Sequence, residues 1–351
     1  MEAVVFAAEQ FGLYTPFFEV LTDGLIHKTY KVTANNKSAI LQQVNNNVFK
    51  NPEQVVHNYL VVYKHLEKSQ ALQIPEALKT KDNTFIWVDA ENSCWRAFNY
   101  IPNTYTESLP ATPEKIFSAA KCYGEFTKAL SGLDPASLSE TIPGFHNLDN
   151  RYQQLRYAIK HAAAERLASS KELLHKIEER KNLVDFYNAL RNNPEFRLRA
   201  MHHDCKLSNI LFDKTTLQAV CPIDLDTVMA GYFFSDVGDM IRSMISDNDE
   251  NAPAESVSIN KLIYQSIISG YQSGLGTSFT DTEHKYIHHS GMLMLYMQAI
   301  RFLADYLSND TYYKIDYPEQ NFNRALNQIT LLEKLEDFLK TPTLSDKLDF
   351  V

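Results

Sequence analysis

Reactive side chains crowd into Met201-His202-His203-Asp204-Cys205-Lys206-Leu207-Ser208-Asn209 and, after a short apolar segment, Ile223-Asp224-Leu225-Asp226. Their order is a carboxylate, an amide oxygen five positions on, and a further carboxylate. Phosphoryl transfer calls for such a set, because the moving group makes little covalent contact with protein. Catalysis then rests on placing a hydroxyl in line and neutralising phosphate charge. Asp204, in the turn after Met201, suits a base that accepts the proton of an acceptor hydroxyl. Asn209 and Asp224 offer hard oxygen ligands to Mg2+ and leave positions for phosphate and water. Lys206 can set an ammonium against the transferred phosphate. Taken singly, each residue reads as a turn or cap. The joint order H-x-D-x-x-x-x-N, strand, I-D-x-D, then Gly231 and Asp236-Val237-Gly238-Asp239, points to a site.

The elements that must position this loop follow from the apolar pattern. Ile210 to Phe212 and Ala219 to Ile223 read as two short strands pinning it. Upstream, β-rich runs from Phe17 to Val44 surround Thr22-Asp23-Gly24, where Gly24 suits a turn. The strand Ser38 to Val44 is followed by a helix from Pro52 to Leu66, with Asn51 as N-cap and Val55, Val56, Tyr59, Val62, Tyr63 and Leu66 on one face. Thr84 to Asp89 and Cys94 to Ile101 read as further strands, and Pro102 ends the pairing. Beyond Thr112-Pro113 the pattern turns helical. Helices are expected over Leu148 to Leu167, Lys171 to Asn192, Ser256 to Tyr271, Asp281 to Leu307 and Pro318 to Leu339.

The loop resembles the motifs of the aminoglycoside phosphotransferase and choline kinase superfamily in His202-His203-Asp204 through Asn209-Ile210-Leu211 and in Ile223-Asp224-Leu225-Asp226. Asp224-Leu225-Asp226-Thr227-Val228-Met229-Ala230-Gly231, followed by Ser235-Asp236-Val237-Gly238-Asp239-Met240-Ile241-Arg242, resembles its N-acetylhexosamine 1-kinase branch. The resemblance extends through Gly24-Leu25-Ile26, Leu41-Gln42-Gln43-Val44-Asn45, Val48-Phe49-Lys50-Asn51-Pro52, Trp95-Arg96-Ala97-Phe98 and Ile142-Pro143-Gly144-Phe145-His146.

The resemblance implies an α+β, bilobal protein-kinase-like fold. Residues 1–101 would form a small β-rich nucleotide-binding lobe, and residues 102–351 a larger, mainly α lobe for catalysis and substrate. It implies ATP and Mg2+ as cofactors, with Gly24 in a hairpin over the nucleotide. The backbone of a hinge at Phe98, Asn99, Tyr100 and Ile101 would bond adenine. It favours Arg301 and Tyr312 as sugar-binding residues beside Asp204, and it makes Asp236 a candidate anchor for His202. One position departs from kinase practice: where a lysine normally grips the α and β phosphates, Gln42 or Gln43 stands, and no acidic residue lies between Gln54 and Glu67 to pair with one. Lys28, Lys31, Lys206 and backbone amides remain open as substitutes. Arg242 is open to pairing with an acid or reaching substrate.

With 351 residues, 44% hydrophobic and 22% charged, the chain can bury a sizeable core. A formal charge of -9 argues against nucleic acid or an anionic membrane as partner. The cysteines Cys94, Cys122, Cys205 and Cys221 lack paired spacing and suit a reducing compartment. Met1 to Gln10 has no basic start, so a cytoplasmic location is expected. The methionines on helix faces and the pairs His202-His203 and His288-His289 read as packing residues in preference to metal ligands. Three functions follow: a sugar 1-kinase acting on an N-acetylhexosamine, a kinase for a cationic acceptor such as choline or an aminoglycoside, and a nucleotide-binding pseudokinase.

Overall fold

The computed structural model describes residues 2–21, 26–34 and 37–340, so Gly24 and the hairpin expected around it lie outside the described residues. The chain has the expected α+β architecture, a β-sheet lobe followed by a helical lobe. Five strands, β1 (Phe17–Leu21), β2 (Lys28–Ala34), β3 (Lys37–Gln43), β4 (Trp87–Val88) and β5 (Cys94–Asn99), form an antiparallel sheet in the order β1-β2-β3-β5-β4. Side chains alternate across a strand, and the register sorts them into two faces. Leu41 opposes Ala97, whereas Gln42 opposes Arg96 and Ile40 opposes Phe98. The first face, with Val32, Ala34, Ala39 and Trp95, packs on Ala7, Ala8 and Phe11 of a helix over Glu2–Gln10 and the turn after it. Sequence patterning did not mark that helix. The second face looks towards the helix Pro52–Ser69 and the helical lobe, where Phe98 joins Tyr59, Val62, Leu225 and Val228 in one cluster.

The helical lobe carries two small sheets: β6 (Thr104–Tyr105) with β8 (Ile210–Asp213) and β9 (Ala219–Pro222), and β7 (Arg199–Met201) with β10 (Met229–Gly231). The strands expected around the loop are present, and β7 with β10 adds a second clamp on its entry. Several expected helices are shorter or broken. Leu148 to Leu167 divides into Leu148–His161 and Ala164–Ser169, Lys171 to Asn192 into Lys171–Glu178 and Asn182–Arg191, and Asp281 to Leu307 into Asp281–Tyr286 and His289–Leu307. Apolar periodicity survives a one-turn interruption, so it does not reveal such breaks. Asn51 precedes the helix Pro52–Ser69, yet its side chain makes no capping bond, whereas Thr112 accepts from Lys115 N–H as a cap should.

The helix His289–Leu307 runs through the core, and Met292, Met294 and Met297 are buried on it as packing residues. Against it lies the helix Phe233–Met244. A Cβ on Gly238 would stand 2.4 Å from the Ser290 carbonyl oxygen, so only glycine lets the helix carrying Asp236 and Asp239 seat this deeply. No helix among the described residues is long and apolar enough to cross a membrane.

Candidate active site

The loop from His202 to Asn209 is held from several sides. Asp236 accepts the backbone N–H of His202 at 3.1 Å and of His203 at 2.8 Å. The Thr227 hydroxyl donates to His202 O, and the Tyr123 hydroxyl to Lys206 O. Asp236 is thus the anchor, through main-chain amides and not through the His202 ring. That ring accepts the Asp204 N–H on Nδ1, which leaves Nε2–H to donate to Ile223 O at 3.0 Å. His202 therefore ties the Asp204 loop to the strand end that precedes Asp224. His203 adopts φ 67°, and a Cβ on Gly231 would stand 2.4 Å from its Nε2, which explains the glycine in the motif.

Within this frame Asn209 Nδ2 donates to both the carbonyl and the Oδ2 of Asp204 at 2.9 Å, and Lys206 Nζ lies 3.0 Å from Asp204 Oδ2. The Ile223 N–H bonds Asn209 O at 2.9 Å, and this pairing brings Asp224, at φ 59°, alongside Asn209. Asp204, Lys206, Asn209 and Asp224 are all brought together. Burial pushes the Asp204 carboxyl up, but the Lys206 ammonium, with His202 and Arg242, outweighs it and holds the group below the usual carboxylate range. Burial, then the Asp226 and Asp204 carboxylates, push Asp224 up to about 6. Cys205 is fully buried and burial raises its thiol, so it is a packing residue beside Asp204.

Sequence reasoning overlooked the partners on the sheet side. Arg96, 2% exposed, stands opposite Gln42 and donates from Nε to Gln42 Oε1 at 3.0 Å. Its Nη2 donates to Asp226 Oδ2 at 2.8 Å and Nη1 lies 2.6 Å from Oδ1. His27 Nδ1 accepts the Asn45 N–H, so Nε2 carries the proton and donates to Asp226 Oδ2 at 2.6 Å. Burial works against ionisation of Asp226, but Arg96 and His27 hold it well below the carboxylate range. The signal in the sequence was a lone arginine in a strand whose side chains from Cys94 to Phe98 are all buried, because a buried charge requires a partner. The expected substitutes lie elsewhere: Lys31 pairs with Glu19 and covers the Tyr100 ring, and Lys28 is exposed.

The hinge differs in detail from the expectation. Phe98 is buried against Tyr59, with ring centroids 4.7 Å apart. The Asn99 N–H bonds Glu76 O, its side chain accepts the Glu76 N–H, and the Tyr100 N–H bonds Ser38 O. Asn99 and Tyr100 amides are therefore committed within the lobe, and Ile101 O accepts from the Thr104 hydroxyl.

On the other side of the loop, His146 stacks on Phe145 and meets His203 edge-on at 5.1 Å. The Arg301 guanidinium lies 4.9 Å from the Phe145 ring centre and 5.6 Å from that of Tyr313. Its hydrogen bond goes to Gln298, and Arg151 bonds Phe145 O and Gln154. Neither guanidinium has a carboxylate partner among the described residues. Burial, then Arg301, bring Arg151 down to about 10. Asp305 accepts the backbone N–H groups of Tyr312 and Tyr313, fixing that loop; Tyr313 faces Arg301, whereas Tyr312 is 55% exposed. Arg242 is structural, bonded to Asp239 and Glu250.

Residues 18–261 match the phosphotransferase enzyme family, and the chain belongs to it. It is accordingly an ATP-dependent small-molecule phosphotransferase. The fold is similar to that of a microcompartment-associated aminopropanol kinase, at 14% identity over 98% of each chain with a TM-score of 0.67. It is also similar to a spectinomycin phosphotransferase in complex with ADP and spectinomycin, at 14% identity over 95% of this chain and 98% of that one, with a TM-score of 0.58. A Plasmodium vivax ethanolamine kinase matches at 12% identity over 95% of this chain and 85% of that one, with a TM-score of 0.58.

Proposed function

We propose that the enzyme phosphorylates a sugar hydroxyl, and specifically the anomeric hydroxyl of an N-acetylhexosamine, giving the sugar 1-phosphate. The reading rests on the arrangement of Asp204, with Lys206 at 3.0 Å and Asn209 at 2.9 Å, and on Phe145, which meets His203 of the same loop and carries Arg301 over its ring and Arg151 on its carbonyl. Asp204 is ionised and accepts the hydroxyl proton as the acceptor oxygen attacks the γ phosphorus. The bond from that phosphorus to the β,γ-bridging oxygen breaks, and ADP leaves. Lys206 holds Asp204 in place and sets positive charge beside the moving phosphoryl group.

Asn209, with Nδ2 committed to Asp204 and Oδ1 left over, and the Asp224 carboxylate form a hard-oxygen donor pair that fits Mg2+. When bound there, the ion supplies charge neutralisation to the β and γ phosphate oxygens. The crowding of carboxylates that raises Asp224 is itself suited to relief by a cation.

Two arginines without carboxylate partners among the described residues disfavour an ammonium-bearing acceptor such as choline or an aminoglycoside by like-charge repulsion. They suit the hydroxyl and amide oxygens of a neutral sugar, with Phe145 and Tyr313 as apolar surface. The test is ATP turnover against hexoses, N-acetylhexosamines, choline and aminoglycosides, with the phosphate position assigned by phosphorus NMR. An N-acetylhexosamine 1-phosphate is the expected product. Transfer to amine-bearing acceptors alone overturns the sugar assignment, and ATP binding without transfer to any acceptor favours a pseudokinase.

A further inference from the structure

The proposed reaction needs a cation-and-carboxylate pair to organise the nucleotide cleft, yet β3 carries Gln42 and Gln43 where a lysine would stand, and the helix Pro52–Ser69 has no acid between Gln54 and Glu67. On the inner side of the helix Pro52–Ser69 stands Asn58, whose side-chain amide donates to Ser139 O at 2.7 Å and Val228 O at 2.9 Å. No carboxylate is offered there. On the sheet, the strand position facing the cleft is Gln42, and the cation comes from its cross-strand neighbour Arg96.

We propose that Arg96 and Asp226 form a positioning pair that spans the cleft and fixes the Asp224 turn for the metal-bound nucleotide, in place of the missing lysine and glutamate. The proposal rests on the phosphotransferase reading above but not on the identity of the acceptor. Asp226 lies two residues from Asp224 in the same turn, and its carboxylate is fully engaged by Arg96 and His27. Its backbone carbonyl accepts from the Thr141 hydroxyl at 2.8 Å. The turn is thus braced from β5, from the segment before β2, and from the helical lobe.

The donor atoms of His27, Asp224 and Asp226 all lie within 4.8 Å of one another, as a three-ligand metal site would place them. The proton on His27 Nε2 assigns them differently. His27 donates to Asp226 and is a brace, Asp226 is the charge partner of Arg96, and Asp224 alone of the three keeps its carboxylate for a cation. Asp224 takes a left-handed backbone, at φ 59°, which aspartate adopts more readily than most L-residues. Arg96 holds the neighbouring Asp226 with a guanidinium whose Nη1 and Nη2 lie 2.6 and 2.8 Å from the two carboxylate oxygens, a fork an ammonium could not reproduce.

The experiment measures Mn2+ binding by electron paramagnetic resonance with a non-hydrolysable ATP analogue, on the full chain and the variants Arg96→Gln, Arg96→Lys, Asp226→Asn, His27→Gln and Asp204→Asn. Arg96→Gln and Asp226→Asn are expected to weaken metal–nucleotide binding about tenfold or more, the size seen when the support around a metal ligand is lost, with Arg96→Lys intermediate. Acceptor KM, where turnover is measurable, should stay within about twofold, and Asp204→Asn should bind Mn2+ and nucleotide better than Arg96→Gln does. Wild-type Mn2+ affinity in folded Arg96→Gln overturns the proposal. If Arg96→Gln does not fold, wild-type affinity in both Arg96→Lys and His27→Gln overturns it instead. Binding is read without acceptor, so a wrong sugar assignment shows as absent sugar turnover with the Arg96 effect intact.

Discussion

Asp236 accepts the main-chain N–H of His203 at 2.8 Å through Oδ1 while its other oxygen holds the His202 N–H at 3.1 Å, so one buried carboxylate fixes the two residues that lead into Asp204. In Asp236→Asn one acceptor becomes an NH2 group facing an N–H donor. We expect a loss of about 2–3 kcal/mol in stability, the range for buried hydrogen bonds to a charged group, together with a fall in kcat. Denaturant unfolding and steady-state kinetics check it, and an unchanged unfolding midpoint would deny Asp236 its anchoring role.

Asp204→Asn keeps the volume of the side chain and removes the proton acceptor. Turnover should fall by roughly a hundredfold or more, with nucleotide and acceptor binding largely preserved. Steady-state rates combined with calorimetric titration of nucleotide separate the two, and near-normal kcat would remove Asp204 from the role of base.

Among the described residues Arg301 hydrogen-bonds only to Gln298 and stands over Phe145 and Tyr313, and the proposed function assigns its other donors to the acceptor. Arg301→Met should raise acceptor KM by roughly 10- to 100-fold, the equivalent of losing a charged hydrogen bond, and leave the KM for ATP unaltered. An equal rise in both constants would place Arg301 outside the acceptor pocket.

His203 is buried and neutral, with burial bringing its imidazole down to about 4. The unfolded chain takes up this proton near the ordinary histidine value of about 6.5, so between the two values the unfolded state binds more protons. Stability contributed by neutral His203 is full above about pH 6.5 and declines as pH falls to 4, by roughly 3 kcal/mol. His289, also brought to about 4 by burial, acts with the same sign. Denaturant midpoints measured from pH 7 to 4 should therefore decline, and His203→Asn, which tolerates the left-handed backbone, should decline less steeply. Parallel curves for the two proteins would contradict this assignment.

The loop was legible in residue order: Asp204, Lys206 and Asn209 meet because five residues of turn between paired strands leave their side chains little freedom, and β8 with β9 returns the chain to Asp224. So was the burial of methionines and cysteines, since apolar periodicity reports directly on which face is withdrawn from water. Tertiary structure alone decided what replaces the missing lysine. Arg96 finds Asp226 130 positions away and His27 finds it at 199, and alternation along a strand shows which way a side chain points but not which element arrives opposite it. The same reason governs the helix Glu2–Gln10 on the back of the sheet, the capture of the Asn99 and Tyr100 amides within the lobe, and the action of Asp236 through main-chain amides. Each depends on contacts between distant segments, which residue types and short-range spacing do not encode.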